Sequence, residues 1–221
     1  MKRKIIITSD GSTTIHLPEW NEQYHSKHGA IQEAYHVFIK NGFDCFKAQT
    51  KISILEIGFG TGLNCFITYL ETQQKKLQID YTGVEAYPVK QEEVEKLNYV
   101  VALKAEGEQK IFDKMHSLSW NKKHQVSDNF SLIKKEQFFE DINEIDKFDL
   151  IYFDAFGARV QPELWTEKIF KKMFQALKQN GILVTYSAKG SVRRAMQEVG
   201  FTVERLSGPP GKREMLRARK H

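Results

Sequence analysis

Ile54-Leu55-Glu56-Ile57-Gly58-Phe59-Gly60-Thr61-Gly62-Leu63-Asn64 runs an apolar segment straight into a glycine-rich turn and out into helical spacing, with Leu63, Phe66, Ile67 and Leu70 on one face. Glycine lets the backbone turn tightly and lets a ligand approach it, and the free N–H groups of the helix start favour polar or anionic atoms. The next apolar segment, Ile79 to Glu85, closes on Gly83-Val84-Glu85. Glu85 stands 23 residues beyond Gly62, where doubly wound sheets place a carboxylate that accepts from ribose hydroxyls. The spacing is Gly-x-Gly-x-Gly, not the Gly-x-Gly-x-x-Gly of dinucleotide sites, which weakens a nicotinamide-dependent oxidoreductase as the rival reading. A glycine turn that holds no ligand is the other alternative.

Outward from this stretch, β-branched runs alternate with helical patterns, as in a parallel sheet covered on both faces. Strands are expected over Ile52 to Ile57, Ile79 to Glu85, Phe130 to Lys134, Phe148 to Phe153, Gly181 to Tyr186, Phe201 to Leu206 and Glu214 to Arg217. Phe170, Met173, Phe174 and Leu177 share a helical face, in a helix that Gln161-Pro162 starts and Asn180-Gly181 ends. Only Ser207-Gly208-Pro209-Pro210-Gly211 separates the last two strands, too short for a crossover helix, so they should pair antiparallel. Glu106 to Asn129 is polar and weakly patterned and reads as a long irregular connection, functional or mobile. Towards the start, Lys4 to Thr8 and Thr13 to Leu17 flank an Asp10-Gly11 turn, and Ala30 to Ile39 has helical spacing stopped by Asn41-Gly42. The expected architecture is α/β, with a hairpin and helix extension over residues 1–48 packed on a core domain over 49–221.

The chain has 221 residues, 41% of them hydrophobic, enough for a substantial core, and a net charge of +5. From Ser187 to His221 there are nine Lys/Arg against three Glu, so the basic surplus is C-terminal and favours an acidic partner such as nucleic acid. Arg193 and Arg194, at a helix start, and Lys212 and Arg213, in the last hairpin, are the candidate contacts to such a partner; a merely solvated basic surface is the alternative. Trp120 and Trp165 are either core aromatics or platforms for an unpaired base. Cys45 and Cys65 lie far apart without a ligand pattern, and His25-x-x-His28 lacks acidic or cysteine partners, so neither a disulfide framework nor a metal site is expected. After the basic start Met1-Lys2-Arg3-Lys4 the apolar run is only Ile5-Ile6-Ile7, and no later run nears the ~18 residues of a membrane span. A reducing, cytoplasmic setting is expected.

Phe148-Asp149-Leu150-Ile151-Tyr152-Phe153-Asp154 is apolar except for Asp149 and delivers Asp154 at its carboxyl end, where open α/β sheets hold ligands. A carboxylate there can orient an amine nucleophile and take up its proton. A local turn cap is the alternative for Asp154.

The glycine spacing, preceded by Glu56, resembles the S-adenosylmethionine motif of class I methyltransferases, which implies a Rossmann-like sheet with an antiparallel last strand. Several further blocks sharpen the resemblance: Phe153-Asp154-Ala155-Phe156 with Gln161-Pro162-Glu163-Leu164-Trp165, Ser191-Val192-Arg193-Arg194-Ala195-Met196-Gln197-Glu198-Val199-Gly200-Phe201-Thr202, and Gly211-Lys212-Arg213-Glu214-Met215-Leu216. With Tyr24-His25-Ser26 and Gly29 near the start, they are similar to the methyltransferase domain of the bifunctional tRNA 5-methylaminomethyl-2-thiouridine biosynthesis proteins, over nearly the whole chain. The resemblance implies S-adenosylmethionine-dependent methylation of the primary amine of 5-aminomethyluridine at the tRNA wobble position. It implies that Gly58, Phe59, Gly60 and Gly62, with Glu56, Thr61 and Asn64 of the same motif, form the methionine end. Glu85 would hold the ribose, Glu136 the adenine amino group, and Tyr24 and Ser26 would close over the cofactor. Asp154 would serve both cofactor binding and catalysis on the amine.

Two departures stand out. After Asp154 the family continues with a proline and a lysine where this chain has Gly157-Ala158-Arg159-Val160, and the family's flavin-dependent oxidase domain does not follow His221. The expectation is therefore a stand-alone methyltransferase whose amine substrate is supplied by a separate enzyme. A methyltransferase for another amine, in other RNA, protein or a small molecule, and a catalytically silent RNA-binding module of the same fold remain open at this point.

Overall fold

A computed structural model describes residues 2–46, 48–73, 75 and 77–221; Met1, which opens the basic start, lies outside them. β1 (Lys4–Ile7) and β2 (Thr13–Leu17) pair antiparallel with Ile5 opposite Ile15, and β3 (Glu22–Gln23) adds a short strand to β2. The Asp10 carboxylate accepts from Ser12 N in the hairpin turn and from Gln32 N at the start of α1 (Ala30–Ala34), tying the two together. α1 passes into a π-helical stretch, Tyr35–Lys40, that stops at Asn41.

The chain then forms β4 (Lys51–Ile57), α2 (Leu63–Gln73), β5 (Gln78–Glu85) and the short α3 (Gln91–Val94) and α4 (Tyr99–Ala102). It continues through α5 (Gln109–Ser117), β6 (Lys123–Ser127), β7 (Phe130–Glu136) and β8 (Phe148–Phe153). The last part comprises α6 (Glu167–Ala176), β9 (Leu177–Thr185), α7 (Gly190–Glu198), β10 (Thr202–Ser207) and β11 (Glu214–Arg219). Among the described residues the main sheet has the order β10-β11-β9-β8-β4-β5-β7-β6. β9, β8, β4, β5 and β7 run parallel, β11 is antiparallel to both β9 and β10, and β6 is antiparallel to β7.

Alternation along the strands divides the core in two. Ile54, Tyr81, Leu150, Tyr152 and Val184 face the layer formed by Val37, Phe38, Phe66, Phe112 and Met115. Leu55, Ile57, Ile151, Phe153 and Leu183 face Ile169, Phe170 and Met173 of α6 and Val192 and Met196 of α7. From β4 the chain winds outward one way through β5 and β7, then returns to wind the other way through β8 and β9. The strand order thus reverses between β4 and β8, which opens a crevice beyond their carboxyl ends.

Three expectations need correcting. Glu106 to Asn129 is not an irregular connection, because it holds α5, buried through Phe112 and Met115, and the edge strand β6. Its polarity reflects an exposed sheet edge carrying lysine, a pattern that hides a strand from periodicity. Pro162 starts a 3-10 turn, Pro162–Trp165, and α6 begins only at Glu167, since the Trp165 indole packs inward and donates to the Phe156 carbonyl at 2.7 Å. The same helix ends at Ala176, before Asn180-Gly181: Leu177 pairs with Phe148 in the sheet, and Asn180, at φ 63°, lies where the β8–β9 register shifts.

Candidate active site

The three strand ends at the crevice are stitched by backbone. Gly58 N and Phe59 N both donate to the Val84 carbonyl at 3.0 Å, and Asp154 N donates to the Ile57 carbonyl at 2.9 Å. Gly58 has φ +88°, and a Cβ on it would lie 2.7 Å from the Asp154 carbonyl oxygen, so only glycine fits where β4 leaves the sheet beside β8. Above this junction lies a cavity of about 1280 Å³, with Tyr24, Gly58, Gly60, Glu85, Glu136 and Asp154 in its wall. The Tyr24 ring covers Gly60, 3.0 Å from where a Cβ would stand.

At one end of the cavity β5 and β7 place Glu85 opposite Glu136. Glu85 Oε2 accepts from Gly60 N at 3.0 Å and Oε1 from Tyr87 N at 2.9 Å, so the carboxylate is aimed by backbone and keeps lone pairs for further donors. Tyr87 and Phe138, each two residues beyond its glutamate, meet edge to face at 6.1 Å, and both are largely exposed and line the cavity. Glu-x-aromatic at two strand ends was a readable signal, but it acquires meaning only once the register sets the two side by side.

The other end is built around Asp154. Burial, the largest cause, lifts its carboxyl group to about 7; the Glu33 charge adds to this, while the Asn64 amide and Lys212 oppose it. His25 Nδ1 lies 3.9 Å from Asp154 Oδ2, but burial brings the imidazole down to about 4, so at neutral pH this is not an ion pair. Asn64 Nδ2 donates to Asp154 Oδ2 at 2.9 Å and to Glu56 Oε1 at 3.0 Å. Among the described residues Asp154 Oδ1 has no hydrogen-bond partner, so one oxygen is held and the other is available.

Of the motif residues expected to touch a ligand, Ser26, Glu56, Phe59, Thr61, Gly62 and Asn64 lie behind the wall. Glu56 accepts from the Tyr81 hydroxyl at 2.9 Å, and burial drives its carboxyl group well above the carboxylate range. Ser26 N donates to Glu33 Oε2 at 2.9 Å and its Oγ accepts from His28 N at 3.1 Å. A Cβ on Gly62 would stand 3.0 Å from His116 Nε2, so that glycine makes room for the α5 histidine. Phe59 turns down onto β5, where a Cβ on Gly83 would run into its Cδ2. Gly83→Ala is therefore expected to lower unfolding free energy by roughly 1–3 kcal/mol through overpacking. Urea denaturation with an unchanged midpoint would show that Phe59 moves aside freely.

The mouth beside Asp154 is roofed by Tyr24, expected over the cofactor, together with Trp20, which no sequence signal singles out, and Phe156. Trp20 and Tyr24 each meet Phe156 edge to face, at 5.7 and 5.0 Å. Arg159, in the loop that departs from the family, donates to the Trp20 and Asn21 carbonyls and to Glu22 Oε2, all at 3.0 Å, and so fastens that loop to the β2–β3 turn. Arg3 reaches in from the basic start to pair with Glu93 at 2.9 Å. Trp165 packs among Phe153, Phe170 and Tyr186, and Trp120 lies between Phe59 and Lys134, so both are packed into the fold.

The basic candidates separate in space. Lys212 pairs with buried Glu33 and sits 3.8 Å from the centre of the Tyr186 ring, committed to the interior side of the hairpin. Arg193 and Arg194 occupy the first turn of α7, and Arg194 and Arg213 are exposed.

Comparison with known proteins fits this geometry. The tRNA 5-methylaminomethyl-2-thiouridine biosynthesis bifunctional protein MnmC of Nitrosospira multiformis is 28% identical over 218 residues, covering 91% of this chain and 34% of that protein. Its counterpart from Leptospira interrogans is 28% identical over 214 residues, covering 90% and 32%. The chain thus spans about a third of the length of the curated relatives it matches. MNMC2 from Aquifex aeolicus superposes with a TM-score of 0.77 at 23% identity, over 98% of this chain and 70% of that one. Spermidine synthase from Thermotoga maritima gives 0.56 at 14%, over 99% and 73%. These two likenesses are of fold. A family model described as S-adenosyl-L-methionine-dependent methyltransferase matches residues 106–221, from α5 through the antiparallel hairpin and including Asp154. That match covers just over half of the chain, which therefore belongs to this family of S-adenosyl-L-methionine-dependent methyltransferases.

Proposed function

We propose that the chain methylates the primary amine of a 5-aminomethyl group on the tRNA wobble uridine, giving 5-methylaminomethyl(-2-thio)uridine. The observation that carries this reading is a single cavity with an aimed ribose-type carboxylate, Glu85, at one end and a buried carboxylate with one free oxygen, Asp154, at the other. The names of the relatives supply the acceptor.

The residues fit S-adenosylmethionine. Glu85 has lone pairs left for two hydroxyls, Glu136 is placed to accept from an exocyclic amine, and Tyr87 with Phe138 offers an apolar wall for a flat base. Gly58 and Gly60 present bare backbone between the two ends, and the cavity has room for a nucleoside-sized ligand and an acceptor. Bound there, S-adenosylmethionine supplies an electrophilic methyl on a positively charged sulfur.

The chain's own residues prepare the amine. An ammonium has no lone pair, so the acceptor must be deprotonated. Asp154 Oδ1 accepts a hydrogen bond from the amine, turns its lone pair along the cavity, and receives a proton. Holding the two reactants at attack distance supplies most of the rate. Tyr24 and Phe156 close the roof and exclude water. Arg193, Arg194 and Arg213 are read as phosphate contacts, whereas Lys212 belongs to the support of the site. The amine must come from an earlier reaction that leaves a free aminomethyl group. No described helix is long and apolar enough to cross a membrane, and with a tRNA substrate we place the protein in the cytoplasm.

The test is transfer of labelled methyl to tRNA bearing 5-aminomethyluridine, compared with the same tRNA bearing unmodified wobble uridine. Label on the aminomethyl tRNA alone is expected. Absence of label on both, despite cofactor binding, sinks the acceptor and points to another amine. In the same material, Arg193→Ala with Arg194→Ala should flatten the fall of tRNA affinity with salt, and an unchanged slope removes α7 from the interface.

A further inference from the structure

From His25, which lines the cavity beside Asp154, a chain of buried side chains that the reaction as described leaves unused runs inward behind the wall. Tyr99, on α4, is fully buried, and its hydroxyl donates to Thr61 Oγ1 at 3.0 Å. Thr61, also fully buried, stands 2.8 Å from His25 Nε2, and the opposite ring nitrogen, Nδ1, faces Asp154 Oδ2 at 3.9 Å.

The closed end of the chain decides its direction. Burial pushes the Tyr99 hydroxyl well above its ordinary range, so it stays protonated and donates. With its oxygen accepting from Tyr99, Thr61 has one hydrogen to place, and His25 Nε2 is the acceptor within reach. Were Nε2 to carry the hydrogen instead, the Thr61 hydrogen would have no acceptor among the described residues, which a buried site disfavours. Nε2 is therefore the bare nitrogen of a neutral imidazole, and the hydrogen sits on Nδ1, the nitrogen nearer Asp154.

Building on the reading of Asp154 as the group that receives the amine, we propose that Tyr99 and Thr61 act through His25 as positioning residues. They aim an Nδ1–H at Asp154 Oδ2, the oxygen already bonded by Asn64 Nδ2, and leave Oδ1 to the acceptor. The 3.9 Å separation exceeds a hydrogen bond, so in this geometry the imidazole acts as an oriented dipole, and a small closure converts it into a second donor. Other groups act on the pair from every side: Glu33 on α1, Lys212 in the β10–β11 turn, Glu56 on β4, Asp10 in the first hairpin and Tyr186 after β9. The variants below leave all of them unchanged.

The experiment needs no acceptor RNA. Long-range proton–nitrogen NMR identifies which nitrogen of His25 bears hydrogen, and carbon NMR of the Asp154 carboxyl group gives its titration midpoint, in the unaltered protein and in Thr61→Val, His25→Ala and His25→Asn. Thr61→Val keeps the branched shape of the side chain but removes the hydroxyl that donates to Nε2. His25→Asn restores a donor where Nδ1 stands. The expected result is an Nδ1–H tautomer in the unaltered protein and loss of that preference in Thr61→Val. The Asp154 midpoint should rise by roughly 0.5–1 unit in Thr61→Val and His25→Ala, because an N–H dipole that favours the charged form is lost, and return in His25→Asn. An Nε2–H tautomer in the unaltered protein, or one midpoint shared by all four proteins, overturns the proposal. If the tautomer and midpoints come out as expected while aminomethyl tRNA stays unmethylated, the positioning chain stands and the acceptor reading falls.

Discussion

Asp154→Asn is expected to lower kcat by about 10²–10⁴-fold, the range for loss of a positioned proton acceptor, while S-adenosylmethionine binds within a few-fold of normal. Asparagine still accepts from Asn64 Nδ2, so the support of the site survives and only the proton acceptor is lost. Parallel loss of cofactor binding and turnover would mark Asp154 as structural. The same variant carries a stability prediction with a definite sign. Burial and the Glu33 charge raise the carboxyl from 3.8 to about 7, so between those values the folded protein binds a proton that the unfolded chain has released. This contribution to stability is present below about pH 4 and is lost as pH rises through about 7, at a cost on the order of a few kcal/mol. Asp154→Asn should therefore unfold at higher denaturant than the unaltered protein at pH 8, with a smaller difference at pH 5. Activity of the unaltered enzyme should climb through pH 7 as Asp154 ionises. Equal denaturation midpoints at pH 8 would mean that the carboxylate is compensated by contacts beyond Asn64 and Lys212.

Glu85→Ala is expected to weaken S-adenosylmethionine binding about 100-fold, read by calorimetric titration. A hydrogen bond to a charged acceptor is worth about 1.5–3 kcal/mol and each 1.4 kcal/mol is tenfold, so losing two ribose hydroxyl bonds reaches that figure even with partial compensation by water. The substitution also frees Gly60 N and Tyr87 N, which loosens the glycine turn and moves Tyr87 off Phe138. Glu85→Gln keeps one acceptor oxygen and should fall between the two. Unchanged affinity in Glu85→Ala would put the ribose elsewhere in the cavity.

The site was legible where its signals are local. Strand, glycine turn and helix follow one another within Ile54 to Asn64, and Asp154 ends an apolar run, so both could be placed on a sheet end from periodicity alone. Contributors distant in sequence were illegible for the same reason. Nothing near Trp20, Phe156 or Arg159 says that the second turn of the N-terminal sheet closes over Asp154, and nothing in the basic start says that Arg3 meets Glu93. β6 escaped notice because an exposed edge strand has little apolar alternation to display.

By itself the sequence determined the succession of the main-sheet strands other than β6, the antiparallel ending and the two carboxylates at strand ends, because these follow from backbone preference and a hydrophobic period of two residues. Only the tertiary structure decided which motif residues reach the cavity. Glu56, Thr61 and Asn64 are polar residues in a binding motif, yet Tyr81, Tyr99, His25 and Asp154 claim them behind the wall. A buried polar group must find its partner wherever the fold brings one, and that requirement is met across 25 to 90 residues of chain, beyond the reach of any local pattern.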